Sequence, residues 1–449
     1  MNNLNNDQSI YNLQKTKLIK PIEYKERIQI LKKLKTILLN NENKIYSTLN
    51  LDLNKSKEES YITEFGLIIK EINLFIKKLK KWTKPIKIKR NNLTFYAKQY
   101  QKLEPLGQSL IISPWNYPFM LTFIPLIGSI AAGNRTIIKT SDLSLNSTKL
   151  ITEIINENFL PELIYVMDYQ LNSIQSMLDN HFDLIFYTGN SYVAKNIQKQ
   201  AAFNLSPTIL ELGGKCPLII DRAMNLELLM PKLIRAKSIN SGQTCIAPDY
   251  IYIHESQLTS FLEIFEKTKN ELKFNYLDKP KIISPKHYQR LMNSISNDIT
   301  LKSNYAEQKI DLITFLSSWD AKIMQEEIFG PFLPVLTYQN LNEVIEALKT
   351  KEKPLTLYFY SENKANIKLI EENTTSGSFV VNDLLNQLAN PNFAFGGVGF
   401  SGMGRYRGYE SLKSFSNIKT VFKGKKWFWN WENKLMEKKN FKFLQKLFK

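Results

Sequence analysis

Apolar residues return at helical spacing across residues 28–51 and again across 61–82, with lysine and glutamate between them. That period predicts amphipathic helices, each hiding one face against the body of the protein. From 84 to 103 the lysine-rich sequence alternates instead, and alternation predicts strands. Beyond it, short apolar runs at 110–113, 135–139, 164–167 and 184–187 are separated by helical segments. Strands buried on both faces read this way, so the region predicts a parallel α/β sheet. A second series of the same kind runs from Glu211 to about residue 390, with strands expected at 216–220, 249–253, 333–336, 355–360 and 377–381. The longest apolar stretch, 118–133, is broken by Thr122 and Ser129. It is shorter than the roughly 20 residues a membrane span needs, and predicts a buried helix. Residues 418–423 read as one more strand, and no internal repeat or long disordered linker is visible.

Composition narrows the class. A chain of 449 residues with 43% hydrophobic content buries a large core and has the length of two or three domains. Its two cysteines, Cys216 and Cys245, suit a reducing compartment, so a cytoplasmic location is expected. The first fourteen residues are polar and contain Asp7, unlike a secretory signal. A formal charge of +18 would suit nucleic acid or an anionic membrane. The lysines, however, are spread along helical faces, without zinc-ligand spacing, an aromatic RNA-binding signature or a helix-turn-helix. The expectation is a solvated surface, with no nucleic-acid partner and no metal. Charge gathers only in the tail 425–449, where Trp427, Phe428, Trp429 and Trp431 precede a lysine-rich stretch bearing Phe441, Phe443, Leu444, Leu447 and Phe448. Such a segment is expected to dock on the protein or on a second subunit, with peripheral membrane contact as the alternative.

The chemistry centres on Asn240-Ser241-Gly242-Gln243-Thr244-Cys245, a small polar loop ending in a thiol. A lone cysteine is most often a small buried hydrophobe. A nucleophile needs access, a base and an oxyanion donor, and other segments offer both partners. Leu210-Glu211-Leu212-Gly213-Gly214-Lys215 sets a carboxylate among apolar neighbours, where desolvation raises its proton affinity toward that of a neutral-pH base. Ser113-Pro114-Trp115-Asn116-Tyr117-Pro118 holds an amide in a rigid loop, as an oxyanion donor requires. Gln325-Glu326-Glu327-Ile328-Phe329-Gly330-Pro331 and Phe395-Gly396-Gly397-Val398-Gly399 carry aromatics suited to a flat ligand. The three histidines, His181, His254 and His287, stand in no motif that pairs them with Cys245, which argues against a Cys-His hydrolase.

These five segments, in this order and over nearly the whole chain, resemble the aldehyde dehydrogenase superfamily. Tyr187-Thr188-Gly189-Asn190, the residues after Cys245, and the Gly-Gly-Val-Gly segment followed by Ser401-Gly402-Met403-Gly404 point to its class 3-like members. The resemblance implies two doubly wound parallel-sheet α/β domains and a small β oligomerisation arm. The dinucleotide-binding domain would comprise 1–83 and 106–210, the thiol domain 211–396, the arm and C-terminal wrap 84–105 and 397–425, and the tail 426–449. It further implies a homodimer and oxidation of medium-chain, long-chain or aromatic aldehydes to acids with NAD or NADP.

In that scheme Cys245, as a thiolate, attacks the aldehyde, the Asn116 amide and the Cys245 N–H hold the oxyanion, and Glu211 activates the water that releases the acid. Lys139 and Asp142 would bind the adenosine ribose, Thr188, Gly189 and Asn190 the pyrophosphate, and Glu327 and Phe329 the nicotinamide riboside. Asp142 stands where most relatives carry Glu, leaving room for NADP beside NAD. Ala194 replaces a usual glycine of the phosphate turn, and Phe400 an asparagine common after Gly-Val-Gly. Tyr117, Ile239, Thr244, Ile246 and Phe395 would line an apolar tunnel. Alternatives are an inactive cofactor-binding or structural protein of the same fold, a semialdehyde-specific enzyme, and a coenzyme A-acylating dehydrogenase. Retention of Asn116, Glu211 and Cys245 weighs against the first, and the presence of the base against the last.

Overall fold

The computed structural model describes residues 4–18, 21–168, 174–222, 224–426, 428, 437 and 440–448. Two six-stranded sheets organise it. The first runs in space as Gly402–Met403, Thr208–Leu212, Leu184–Gly189, Gln108–Ile112, Arg135–Lys139 and Ile164–Val166, parallel except for its two-residue edge. The second runs as Ile313–Leu316, Phe332–Tyr338, Tyr250–His254, Pro217–Ile220, Thr356–Tyr360 and Ser378–Val381, parallel throughout. Central strands of both are buried along their length, as the unbroken apolar runs require. This is the doubly wound α/β architecture expected, with a separate antiparallel arm of Ile86–Lys87, Lys98–Pro105 and Ser416–Lys423.

Every strand anticipated between 110 and 381 is present within two residues of its expected position. The run at 118–133 forms helix Met120–Ala132, in which every residue is buried. Gly133 ends that helix at φ 95°, a left-handed cap that glycine adopts without Cβ strain.

Other expectations change. The periodic stretch 28–51 is two helices, Tyr24–Asn40 and Glu42–Leu53, parted at Asn41, whose side-chain amide donates back to the Ile37 carbonyl. The stretch 61–82 opens with a π turn, Tyr61–Phe65, before helix Gly66–Trp82. Between 84 and 103 the chain pairs only at the two ends, with residues 88–97 forming a loop.

Of the strands longer than two residues, Thr208–Leu212 and Ile313–Leu316 were not foreseen, and the first carries Glu211. The boundary at 211 falls inside it, and Gly402–Met403, assigned by sequence to the C-terminal wrap, pairs with it. Ile313–Leu316 is half-exposed at the sheet edge and interrupted by Thr314, so its apolar signal is weak.

Of the tail, Trp427, Trp429 and Trp431 lie outside the described residues. Phe428 is buried and stacks on Tyr96 of the arm loop at 3.5 Å, while Phe441, Phe443 and Phe448 are exposed. Among the described residues no helix is long and apolar enough to cross a membrane.

Candidate active site

The two sheets present opposite ends to one another. Ser113, Lys139, Thr188 and Glu211 lie at the carboxyl ends of neighbouring strands of the first sheet, the edge where open α/β sheets bind ligands. Gly213–Lys215, Cys245–Asp249 and Glu327–Gly330 precede strands of the second sheet at their amino ends. Thr188 stands in register beside Glu211, so the phosphate turn and the carboxylate occupy adjacent strands.

Cys245 is half-buried at the end of a strained turn. Asn240 and Ser241 hold left-handed φ of 49° and 50°, a conformation that persists only when neighbours enforce it. They do: the Asn240 N–H donates to Glu59 at 2.7 Å, and Ser241 donates to the Pro280 carbonyl. Gly242, at φ 73°, packs so closely on Gly330 that a Cβ would meet the Gly330 carbonyl oxygen at 2.2 Å. Beneath the thiol, Cys216 donates to the Cys245 carbonyl at 3.4 Å and Tyr358 to the Ile246 carbonyl at 2.7 Å.

The Asn116 amide enters from the first sheet and donates to the Gln243 carbonyl at 3.1 Å, while Tyr117 bonds Thr244. The predicted oxyanion donor and nucleophile are thus brought together from the two sheets. Glu211 also faces this centre. Both of its oxygens are buried and find no hydrogen-bond donor among the described residues. Gly396 makes the space: a Cβ there would stand 3.0 Å from Glu211 Oε1 and 2.8 Å from Arg405 Cδ.

Burial sets the protonation. It pushes the Cys245 thiol up to about 12, helped by the carboxylates of Glu327 and Glu211, while backbone N–H groups of Cys245 and Ile246 pull the other way. Burial thus favours the thiol form, so a proton has to leave before the sulfur can attack as a thiolate. Burial also raises Glu211 well above the carboxylate range, opposed by the Arg405 charge.

An apolar cavity of about 170 Å³ opens onto Cys245. All five predicted lining residues, Tyr117, Ile239, Thr244, Ile246 and Phe395, border it, joined by Ile62, Thr63, Met120, Leu121, Leu388 and others. Arg407 is the charged residue among those described, and its guanidinium lies 3.6 Å from Glu71 and donates to the Leu388 carbonyl.

The dinucleotide residues fit their group. Thr188 Oγ1 is buried without a partner among the described residues, at the mouth of helix Ser191–Phe203. A helix amino end favours phosphate. Asn190 caps this helix, accepting from the Val193 N–H at 2.9 Å, so its side chain holds the turn. Ala194 is buried in the first turn. Lys139 and Asp142 are joined to each other at 2.7 Å, the lysine buried and the aspartate exposed.

Glu327 presses on Gly213, where a Cβ would meet Glu327 Oε2 at 2.0 Å. Burial and the nearby Asp249 raise Glu327 to about 8, against a hydrogen bond from the Gly214 N–H. Phe329 holds φ 53° against the edge of Trp115, with its carbonyl bonded to His287. Arg290 donates to His287 Nδ1, which leaves the proton on Nε2 facing that carbonyl.

Lys55, Glu59, Glu64, Asn240, Arg290 and Arg405 were missed as site residues. For Glu64 and Glu71 a signal was present: both fall on the apolar stripe of 61–82, spaced with Ile68, Ile72 and Phe75. A carboxylate in such a stripe requires a buried partner.

A thiol, a desolvated carboxylate and an amide stand together at the carboxyl edge of a parallel α/β sheet. The aldehyde dehydrogenase family model matches residues 13–421, and the chain belongs to that family. It is 40% identical over 428 residues to the 4,4'-diaponeurosporen-aldehyde dehydrogenase of Staphylococcus aureus, covering 93% of this chain and 92% of the relative. Aldehyde dehydrogenase family 3 member A2 of Pongo abelii is 37% identical over 399 residues, covering 87% and 82%. The substrate-bound structure of Staphylococcus aureus AldH superposes with a TM-score of 0.93 at 36% identity, over 99% of each chain. The protein is an NAD(P)-dependent aldehyde dehydrogenase of class 3-like type.

Proposed function

We propose that this enzyme oxidises aliphatic medium-chain and long-chain or aromatic aldehydes to carboxylic acids, through a thiohemiacetal and a thioester on Cys245. The carrying observation is Cys245 at the wall of an apolar cavity whose charged residue, Arg407, is already engaged by Glu71. Arg407, the charged residue among the described lining residues, already faces the Glu71 carboxylate at 3.6 Å, which favours uncharged substrates over a semialdehyde carboxylate.

The steps follow from the chain's own groups. Cys245 gives its proton to solvent water, and its sulfur bonds the aldehyde carbon as the carbonyl π pair moves onto oxygen. The oxygen that becomes anionic is received by the Asn116 amide and the Cys245 N–H, a contribution of about 3–4 kcal/mol per donor to the barrier. The dinucleotide, when bound, would supply the hydride acceptor. Glu211 then takes a proton from the water that attacks the thioester, and the acid leaves with Cys245 regenerated. Glu211 favours this hydrolysis over transfer to coenzyme A. Lys139, Asp142, Thr188, Gly189, Asn190, Glu327 and Phe329 would hold the dinucleotide. The Asp142 carboxylate opposes a 2′-phosphate, so NAD is preferred, and its short side chain admits NADP.

A homodimer through the arm is supported by exposed Ile418 and Phe422 on strand Ser416–Lys423. The free thiols Cys216 and Cys245 support a cytoplasmic location. The exposed Phe441 and Phe448 fall on one side of the last helix and offer a face for peripheral membrane contact.

The test is reduction of NAD and NADP by purified protein across a series from acetaldehyde to dodecanal, with benzaldehyde and a long conjugated aldehyde of the kind named for the Staphylococcus aureus relative. Cysteine-dependent reduction with stoichiometric acid supports the reading. Absence of reduction with every aldehyde, despite cofactor binding, overturns it.

A further inference from the structure

Lys55 and Glu64 form an ion pair at 2.7 Å with both side chains completely buried. Taking two charges out of water costs several kcal/mol per ion, and apolar residues of similar volume often stabilise a fold as well or better. Retention of such a pair therefore calls for another use, and its remaining contacts supply one. Lys55 Nζ donates to the Asn116 carbonyl at 2.8 Å and sits 4.1 Å over the Tyr117 ring. Glu64 Oε2 accepts from the N–H groups of Phe119 and Met120 at 2.9 and 3.2 Å, the entry to the buried helix. The loop that presents Asn116 is thus held by one ion pair both at Asn116 itself and where it enters the helix. From the thiol side, Asn240 donates to the same Asn116 carbonyl at 3.0 Å. Glu64 lies in the π turn Tyr61–Phe65, whose Ile62 and Thr63 border the aldehyde cavity. Such turns recur at functional sites.

We propose that Lys55 and Glu64 are positioning residues that set the Asn116 amide at the distance from Cys245 that the oxyanion requires. This rests on the assignment of Asn116 as oxyanion donor. The pair acts through Asn116, touches no reacting atom, and couples the cavity wall to the oxyanion loop through a single helical turn.

The experiment compares Lys55→Met, Glu64→Gln and the apolar pair Lys55→Met/Glu64→Leu with Asn116→Ala, and combines Lys55→Met with Asn116→Ala. Steady-state octanal oxidation, cofactor affinity and thermal stability are read for each. The expected result is a fall of about ten- to a hundredfold in kcat, the scale of a misplacement near 1 Å, with aldehyde KM and cofactor affinity within about twofold. The apolar double variant should stay folded yet remain slow, and Lys55→Arg should recover part of the loss. Lys55→Met should add little in the Asn116→Ala background, because both remove one interaction. Normal kcat in a folded Lys55→Met/Glu64→Leu enzyme, or effects that multiply with Asn116→Ala, would overturn the inference while leaving Asn116 in place. Near-normal turnover of Asn116→Ala would remove Asn116 itself, and with it the role of the pair. Should the double variant fail to fold, Glu64→Gln, which keeps an acceptor for both N–H groups, carries the same kcat test.

Discussion

Glu64 and Glu211 are buried carboxylates serving one centre, and their surroundings are opposite. Glu64 uses both oxygens, one on Lys55 and one on two backbone N–H groups. Glu211 has no hydrogen bond on either oxygen among the described residues, and answers only to the charge of Arg405. The contrast separates frame from reagent. A carboxylate that must hold a loop still is saturated with donors. Glu211, proposed to accept a proton during turnover, is desolvated and unengaged, which raises its proton affinity. The same division runs through the thiol loop: Asn240, Ser241 and Gln243 are pinned, while the Cys245 sulfur faces the cavity.

The largest break in this contrast is removal of the reagent. Cys245→Ala should abolish aldehyde oxidation and leave dinucleotide binding intact, read by absorbance at the reduced cofactor band and by calorimetry. Next comes Asn116→Ala, which should slow kcat a hundredfold or more, since loss of one oxyanion donor costs about 3–4 kcal/mol. A smaller effect follows from pH. Cys245, at about 12, and Glu211 both keep their protons above the ordinary range, and both must lose them to act. Turnover should therefore climb toward alkaline pH, as a rate profile will show. Arg405→Gln removes the charge that opposes the rise at Glu211, so the climb should move to still higher pH.

The smallest concerns stability without cofactor. The folded protein holds the Glu327 proton to about pH 8 against an ordinary 4.5, so its contribution is full below 4.5 and is lost as pH rises through 8. Glu327→Gln should thus raise Tm at alkaline pH by about 1–3 °C, and the gap should close in acid, as scanning calorimetry will reveal.

The residues proposed for the site could be picked out in advance because each is marked locally in the sequence. Cys245, Glu211 and Asn116 each sit in a short motif of glycines, prolines and apolar neighbours, and the cavity residues lie beside them in the chain. The parallel strands were legible because burial on both faces leaves unbroken apolar runs. Thr208–Leu212 escaped because Glu211 and the glycines after it drew the boundary into the strand. The frame escaped for a different reason. Lys55 lies 61 residues from the Asn116 carbonyl it holds, and Asn240 lies 181 residues from Glu59. Only a charge placed in an apolar stripe, as Glu64 is, announces such a partner in advance. The protonated state of Cys245 could not be read either, because it depends on burial and on Glu327 and Glu211, brought near by folding.

The most direct test of the division between frame and reagent is the intact mass of Glu211→Gln after mixing with NAD and octanal. Without the base, the thioester should form in a single burst of reduced cofactor and persist, adding one octanoyl group at Cys245. Continued turnover at the unmodified rate, with no acyl group on Cys245, would contradict the assignment of Glu211 as the base of hydrolysis and of Cys245 as the carrier.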